Sequence, residues 1–397
     1  HKWHNAKNYE EFKNPFNGNS DFMKVPLLNS SEFKPIIEEM KSVPTTGLHN
    51  PLKNPERYLL YGEICRKVSV ALHKEEIFDH FVGLINTVFP KSKLQAIGEL
   101  KIVRNFFDNF GGDNVRYLGR GFHNPGDHTG QTTTGYRWPY GPVSVISPFN
   151  FPLEIPVLQM MGALFMGNKP LVKVDSKVAL PMEEFVRLLH ACGMPKNDLL
   201  LVHTNGPNFE ELILQCDLKM TLFTGSSKVG KRLTEKLEGR IKLEDSGIDW
   251  KILGPDVQEV EYVAHMIDHD SYALSGQKCS AESLLFVHEN WNKSDLYSRL
   301  KEKVKKRSVD DLTICPILSW NNKKFQDHVD SVLKIPGSEL LFGGKPVQSR
   351  HSIPDCYGSY EPTAIKVPIK EFSNKQNYKL LTEELFGPFQ IVVEYKG

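Results

Sequence analysis

Four positions in this chain have the residue types and settings that nucleophilic chemistry at a carbonyl needs. Cys279 stands in SGQKCSAES, residues 275–283, among small and polar neighbours. A packing cysteine favours apolar company, because a buried thiol behaves as a small hydrophobe. A nucleophile needs a tight polar bend where a thiolate is reachable and stabilised. Asn150, in SPFNFP, lies between aromatics and prolines at a strand end, where a rigid carboxamide can donate to a developing oxyanion. Its ordinary alternative is a turn asparagine bonding its own backbone. Glu244, in LEDSG, ends a strand-like run 35 residues before the cysteine. It reads as a general base for water or as a solvated surface carboxylate. Glu384, in EELFGPF with Phe386 close by, lies in a turn between a helix and a strand.

The elements that must position these residues show in the hydrophobic periodicity. Residues 31–115 read mostly as helices, with apolar residues recurring at three and four. The period then changes: GYRWPYGPVSVISPFNFP (135–152) has strand composition punctuated by Pro and Gly. FPLEIPVLQMMGALFMG (151–167) follows as a buried helix. PLVKV, DLLLVH and MTLFTG then read as strands, alternating with helices that end at Gly193 and Gly239. Such alternation predicts a parallel, doubly wound sheet. Beyond about residue 250 VEYVAHMIDHDSYAL, SAESLLFVH and a helix over 293–307 predict a second α/β domain carrying Cys279.

Two glycine motifs invite a nucleotide and both depart from pattern. GRGFHN (119–124) has Asn124 where a third glycine belongs, and no strand is expected before it. GSSKVGKR (225–232) has P-loop spacing but Arg232 in place of the Ser or Thr that would hold magnesium. A strand, a bend at Thr224-Gly225-Ser226 and a helix start still bring backbone N–H groups and a positive dipole end to one point. A pyrophosphate can sit there without magnesium; the plain alternative is a turn with Ser226 as helix cap.

SPFNFP, GNKPLVKVDSK, FTGSSKVG, LEDSG, SGQKCSA and EELFGPF, in that order over residues 130 to 395, resemble the aldehyde dehydrogenase superfamily. GQKCSA, together with GYRWPYGPVSVISPFNFPLEIP, IKLEDSGIDWKILGPDVQEV and FVHEN, resembles its plant-type Δ1-pyrroline-5-carboxylate dehydrogenase branch. That likeness runs from GLHNPLKNPERYLLYGE (47–63) onward. The resemblance implies an α/β fold with a Rossmann-type cofactor domain (1–128 and 142–247), an oligomerisation hairpin (129–141) and an α/β catalytic domain (248–397). It implies NAD-dependent oxidation of L-glutamate γ-semialdehyde to L-glutamate in proline catabolism, through a thiohemiacetal and a thioester on Cys279. Asn150 would hold the oxyanion and Glu244 would activate water. Ser147, Pro148, Phe149, Lys173, Asp175, Ser176, Gly225, Ser226, Val229, Glu384 and Phe386 would face the cofactor, and Phe151 and Ser280 the substrate. A homo-oligomer and a mitochondrial matrix location are implied too. After Lys173 the family's usual Pro-Ser-Glu is Val174-Asp175-Ser176 here, and the usual Glu-Leu-Gly-Gly of the base is Glu244-Asp245-Ser246-Gly247. Two other readings stay open: a relative acting on another semialdehyde, and a catalytically idle or truncated relative serving as a binding protein.

Composition narrows the partners. A formal net charge of +1 over 397 residues carries no electrostatic footprint for nucleic acid or an acidic membrane. No run is apolar and long enough to suggest a membrane span. Six cysteines without a CxxC pair fit free thiols in a reducing compartment, with Cys65, Cys192 and Cys216 as packing residues. His265 and His269 sit four apart on a helix, but no third ligand is evident and no metal is expected. KEKVKKR (301–307) reads as a solvated face, with Leu296, Leu300 and Val304 at helical spacing beneath it. FQIVVEYKG stops straight after a strand-like run, so the chain is expected to continue past Gly397.

Overall fold

The structure, a computed structural model, describes residues 5–49 and 55–397. Residues 50–54, within the 47–63 stretch, and residues 1–4 lie outside the described residues. The chain divides into two compact units. The first comprises His1–Phe12, Asp21–Val88 and Ala96–Asp245, and the second Lys13–Ser20, Phe89–Gln95 and Ser246–Gly397.

The first unit opens with an antiparallel ribbon of β1 (Tyr9–Phe12) and β2 (Met23–Pro26). Helices α1 (Lys34–Lys41), α2 (Glu56–Leu72), α3 (Glu75–Val88) and, from Ala96 onward, α4 (Lys93–Asn109) follow. A second ribbon pairs β3 (Phe122–Pro125) with β4 (Thr132–Gly135). The hairpin expected over 129–141 therefore starts earlier, and a strand begins inside the GRGFHN stretch. Of residues 136–152 only β5 (Pro142–Ile146) is strand, because the prolines at 139, 148 and 152 supply no ladder donor.

From β5 the chain alternates through α5 (Glu154–Phe165), β6 (Lys169–Lys173), α6 (Ala179–Ala191), β7 (Leu200–Leu201), α7 (Gly206–Gln215), β8 (Met220–Thr224), α8 (Ser227–Lys236) and β9 (Ile241–Glu244). Pro156 sits in the first turn of α5, where the helix has no intrahelical use for its N–H. Both glycine stops hold: Gly193 and Gly239 are left-handed, at φ 105 and 77. The DLLLVH strand shortens to two residues at the sheet edge. All pairings are parallel, in the order β7-β6-β5-β8-β9. Successive residues of β6 face opposite cores, as a strand covered on both sides requires. Val172 packs with helices α2 to α6, and Leu171 with Phe33, Met40, Phe209 and Leu233 on the other face.

The second unit holds β10 (Asp249–Leu253), α9 (Val260–Tyr272), β11 (Glu282–His288), α10 (Leu296–Lys305), α11 (Asn322–Leu333), β12 (Glu339–Phe342), β13 (Thr363–Lys366), α12 (Lys375–Leu381) and β14 (Phe389–Tyr395). Its sheet runs β10-β11-β14-β13-β12, parallel except for the antiparallel edge strand β12. The helix expected over 293–307 is shorter, preceded by a tight turn over Glu289–Lys293, and Leu296 and Leu300 are buried beneath its basic face. Leu284 and Leu285 again divide between two cores, one built on α11 and one on α9 and α10. Among the described residues no helix is long and apolar enough to cross a membrane.

Candidate active site

In the first unit the candidate residues gather at the carboxyl ends of the parallel strands. Strands β5, β6 and β7 run outward in one direction and β8 and β9 in the other, so the order reverses between β5 and β8. Open α/β sheets bind ligands at the carboxyl side of such a reversal. Ser147 to Phe151 follow β5, Lys173 ends β6, Gly225 and Ser226 follow β8, and Glu244 ends β9. Asn150 and Glu244 thus lie at the same end of one sheet.

Asn150 is buried, at 1% exposure. The loop that carries it is tied down by a residue the sequence did not single out. Glu99, on α4 and itself 2% exposed, accepts the main-chain N–H groups of Leu153 (2.8 Å) and Glu154 (3.2 Å). Helix α5 has no side-chain cap of its own, so the Glu99 carboxylate satisfies its first donors and meets the positive end of its dipole.

Ser147 donates its N–H to the Lys173 carbonyl at 3.1 Å. Its hydroxyl is buried without a hydrogen-bond partner among the described residues. Lys173 is buried, and its Nζ donates to the Val174 carbonyl at 3.0 Å. Burial pulls that ammonium below the usual lysine range. Asp175 caps the short turn Ser176–Val178, accepting the Lys177 N–H at 2.9 Å, with the Lys177 ammonium 3.4 Å away. Burial alone would raise its carboxyl, but Lys177 and Lys173 hold it below the ordinary value.

The bend before α8 is not the plain cap considered from sequence. Ser226 has N-cap backbone geometry, yet its side chain makes no capping bond. Val229 lies in the first turn, half-buried, its N–H already bonded to the Ser226 carbonyl at 3.1 Å. Gly225 leaves room for the Phe223 ring, 2.9 Å from where a Cβ would stand. Glu244 is exposed; Thr224 Oγ1 lies 3.5 Å from its carboxylate and accepts from Gln159 at 2.8 Å.

In the second unit, Cys279 and Ser280 are exposed at the end of a contorted loop. Leu274, Ser275 and Gly276 all have left-handed backbone, at φ 60, 48 and 67. Two successive non-glycine residues there store strain that the surroundings must hold. Gln277, fully buried, does so with its amide: Nε2 donates to the carbonyls of Pro316 (3.0 Å) and Leu274 (3.3 Å), and Oε1 accepts the Leu318 N–H (2.9 Å). Ser275 Oγ donates to the Cys315 carbonyl at 3.2 Å and accepts the Cys315 N–H at 2.9 Å. The inward side chains are committed to structure, which leaves Cys279 facing outward. Lys278 beside it donates to the His269 carbonyl at 3.3 Å, and burial lowers its ammonium pKa against the pull of Asp270.

The other thiols are of a different kind. Burial raises Cys65 and Cys192 and pushes Cys216 and Cys315 up to about 11. Cys356 is exposed like Cys279. Glu384 and Phe386 form the turn between α12 and β14, with Phe386 at φ 50. One hollow in this unit is walled by Gly276, Lys278 and Ala281 on one side and Glu384, Phe386 and Gly387 on the other. Among the described residues no group of three or more His, Cys, Asp or Glu could hold a metal ion.

An exposed cysteine on a strained loop, and a parallel sheet with a polar carboxyl edge, accompany a sequence match: the chain belongs to the aldehyde dehydrogenase family, which its residues 7–397 match. It is thereby an oxidoreductase of aldehydes. The chain is 53% identical over 396 residues to "Delta-1-pyrroline-5-carboxylate dehydrogenase 12A1, mitochondrial" of Arabidopsis thaliana, covering 100% of this chain and 71% of that protein. It is 52% identical over 395 residues to a "Probable aldehyde dehydrogenase" of Linum usitatissimum, with the same coverage. Among solved structures, PnpE in complex with nicotinamide adenine dinucleotide shares the fold at TM-score 0.83 and 22% identity, over 100% of this chain and 79% of that one.

Proposed function

We propose that this protein oxidises L-glutamate γ-semialdehyde to L-glutamate with NAD as hydride acceptor. The observation that carries the reading is Cys279, exposed three residues past the left-handed run Leu274–Gly276, in a loop anchored by the buried Gln277 amide. The 53% identity to the Arabidopsis enzyme supports the choice of substrate.

The residues present suit the cofactor. The Ser147 hydroxyl is buried and lacks a partner among the described residues, which a ligand hydroxyl or phosphate would supply. The first turn of α8 has no side-chain cap, so its amides suit a pyrophosphate. Lys173, Asp175 and Ser176 would lie toward the adenosine ribose, and Pro148, Phe149, Gly225 and Val229 would line the same cleft. Glu384 and Phe386 would hold the nicotinamide ribose.

In this reading the Cys279 thiolate bonds to the aldehyde carbon, and the carbonyl oxygen takes up the electron pair. Asn150 Nδ2 and the Cys279 N–H donate to that oxyanion. Bound NAD supplies the acceptor for the hydride that leaves the thiohemiacetal carbon. The thioester on Cys279 is then attacked by water as Glu244 takes the water's proton. Cys279 departs as thiolate and L-glutamate is released. Phe151 packs against the substrate chain and Ser280 donates to its α-carboxylate.

The mitochondrial relative supports a mitochondrial matrix location. Exposed Phe122, Tyr136, Trp138 and Tyr140 on and beside the second ribbon support a homo-oligomer. NADH absorbance with pyrroline-5-carboxylate tests the reaction. The reading expects turnover; turnover with another semialdehyde and none with this one refutes the substrate.

A further inference from the structure

Five consecutive residues, Cys315 to Ser319, form a strip of chain in the second unit whose polar groups are spent on its neighbours. Cys315 gives its N–H and carbonyl to Ser275. The Pro316 carbonyl and the Leu318 N–H go to Gln277. Ile317 exchanges both main-chain bonds with Gly358, at 2.8 and 2.9 Å, which anchors the strip to the body of the unit. Ser319 turns the other way: its Oγ donates to the carbonyl of Phe386 at 3.2 Å.

Both segments the strip holds are strained. Leu274 and Ser275 on one side and Phe386 on the other are non-glycine residues with left-handed backbone. They also touch directly, since a Cβ on Gly276 would stand 2.1 Å from the Gly387 carbonyl oxygen. Packed contacts of this kind shift between discrete arrangements rather than deform continuously, so a displacement of one segment can be passed to the other.

We propose that the Cys315–Ser319 strip couples the Glu384–Phe386 turn to the Cys279 loop, with Ser319 and Gln277 as positioning residues. Occupation of the turn by the nicotinamide ribose then resets the Phe386 carbonyl. The strip transmits that shift through Gln277 to the reactivity of the Cys279 sulfur. The proposal rests on the functional reading above.

The test uses the full chain and two separate readouts. NAD affinity is measured by quenching of protein fluorescence. The rate of Cys279 alkylation by iodoacetamide is followed by peptide mass spectrometry with and without saturating NAD. In the unaltered protein NAD is expected to change that rate by about fivefold or more. Ser319→Ala should bind NAD and keep the ligand-free rate within about twofold, while its response to NAD collapses to under about twofold. Ser319→Thr, which keeps the hydroxyl, should retain the response. A full response in Ser319→Ala overturns the coupling, and so does an NAD-bound unaltered protein whose alkylation rate does not change; neither touches the functional reading. Failure of the unaltered protein to bind NAD overturns both.

Discussion

The backbone of Gly276 runs so close to Gly387 that a Cβ at position 276 would stand 2.1 Å from the Gly387 carbonyl oxygen. Gly276 also has φ +67, a conformation that L side chains rarely adopt. On the far side of Gly387 the Phe325 ring closes in, 2.3 Å from where a Cβ there would lie. Three segments far apart in sequence are thus stacked with no atom to spare, behind the one exposed cysteine of the 275–283 stretch. Gly276→Ala is expected to cost ~3 kcal/mol or more, since backbone strain and a backbone clash add. Thermal unfolding and turnover measured together should both fall; unchanged melting would contradict the packing described.

The anchoring of Asn150 makes a second prediction. Glu99→Leu leaves the first N–H groups of α5 without their acceptor, at a cost of about 1–3 kcal/mol. By loosening the Asn150 loop it should lower kcat by roughly 100-fold. NAD affinity should change little. Glu99→Gln keeps an acceptor oxygen and should recover most of the loss, an outcome read from the split between kcat and KM.

Glu282 begins β11, three residues past Cys279, and is 4% exposed. Burial raises its pKa to about 7 against the pull of Lys251, whose ammonium lies 2.6 Å away. Gln390 donates to it at 2.6 Å. A carboxyl whose folded pKa lies above its unfolded one binds more protons when folded, so its contribution to stability declines as pH rises. The window runs from the ordinary glutamate range up to about 7. Urea midpoints at pH 5 and pH 8 should differ less in Glu282→Gln than in the unaltered protein.

Thiol reactivity separates the cysteines. Iodoacetamide should label Cys279 and Cys356 in folded protein, with Cys279 the faster. Cys65, Cys192, Cys216 and Cys315 should label only on unfolding, because burial holds their thiols protonated. Comparable labelling of Cys315 in folded protein would contradict its burial.

Much of this arrangement is legible in the sequence, and the remainder fails for identifiable reasons. The change from helical to strand period, and the glycine stops at 193 and 239, mark the alternating elements because each is a local signal. Cys279, Asn150 and Glu244 stand out as candidates only together, by residue type, order and spacing, since Asn150 and Glu244 each have a plain structural alternative. Glu99 does not: a lone glutamate in an amphipathic helix looks solvated, and its partners lie more than fifty positions away. The strip CPILS carries only a buried thiol and one ordinary serine, so the proposed coupling shows only in the bonds that its main chain and the Ser319 hydroxyl make. Leu274 and Ser275 have no intrinsic preference for left-handed backbone, and tertiary packing overrides their propensity. Gln277 is visible as a letter beside the cysteine, but its work as a buried clamp is not.

The most direct test of the whole account is the identity of the covalent species. Glu244→Gln protein, mixed with NAD and pyrroline-5-carboxylate and quenched in acid, should retain a glutamyl thioester, since acylation needs no general base for water while hydrolysis does. Peptide mass spectrometry should find that acyl group on Cys279 alone, at close to one per chain, after a burst of NADH of the same size. NADH formed without any acyl group on Cys279, or with one on a different residue, would contradict it.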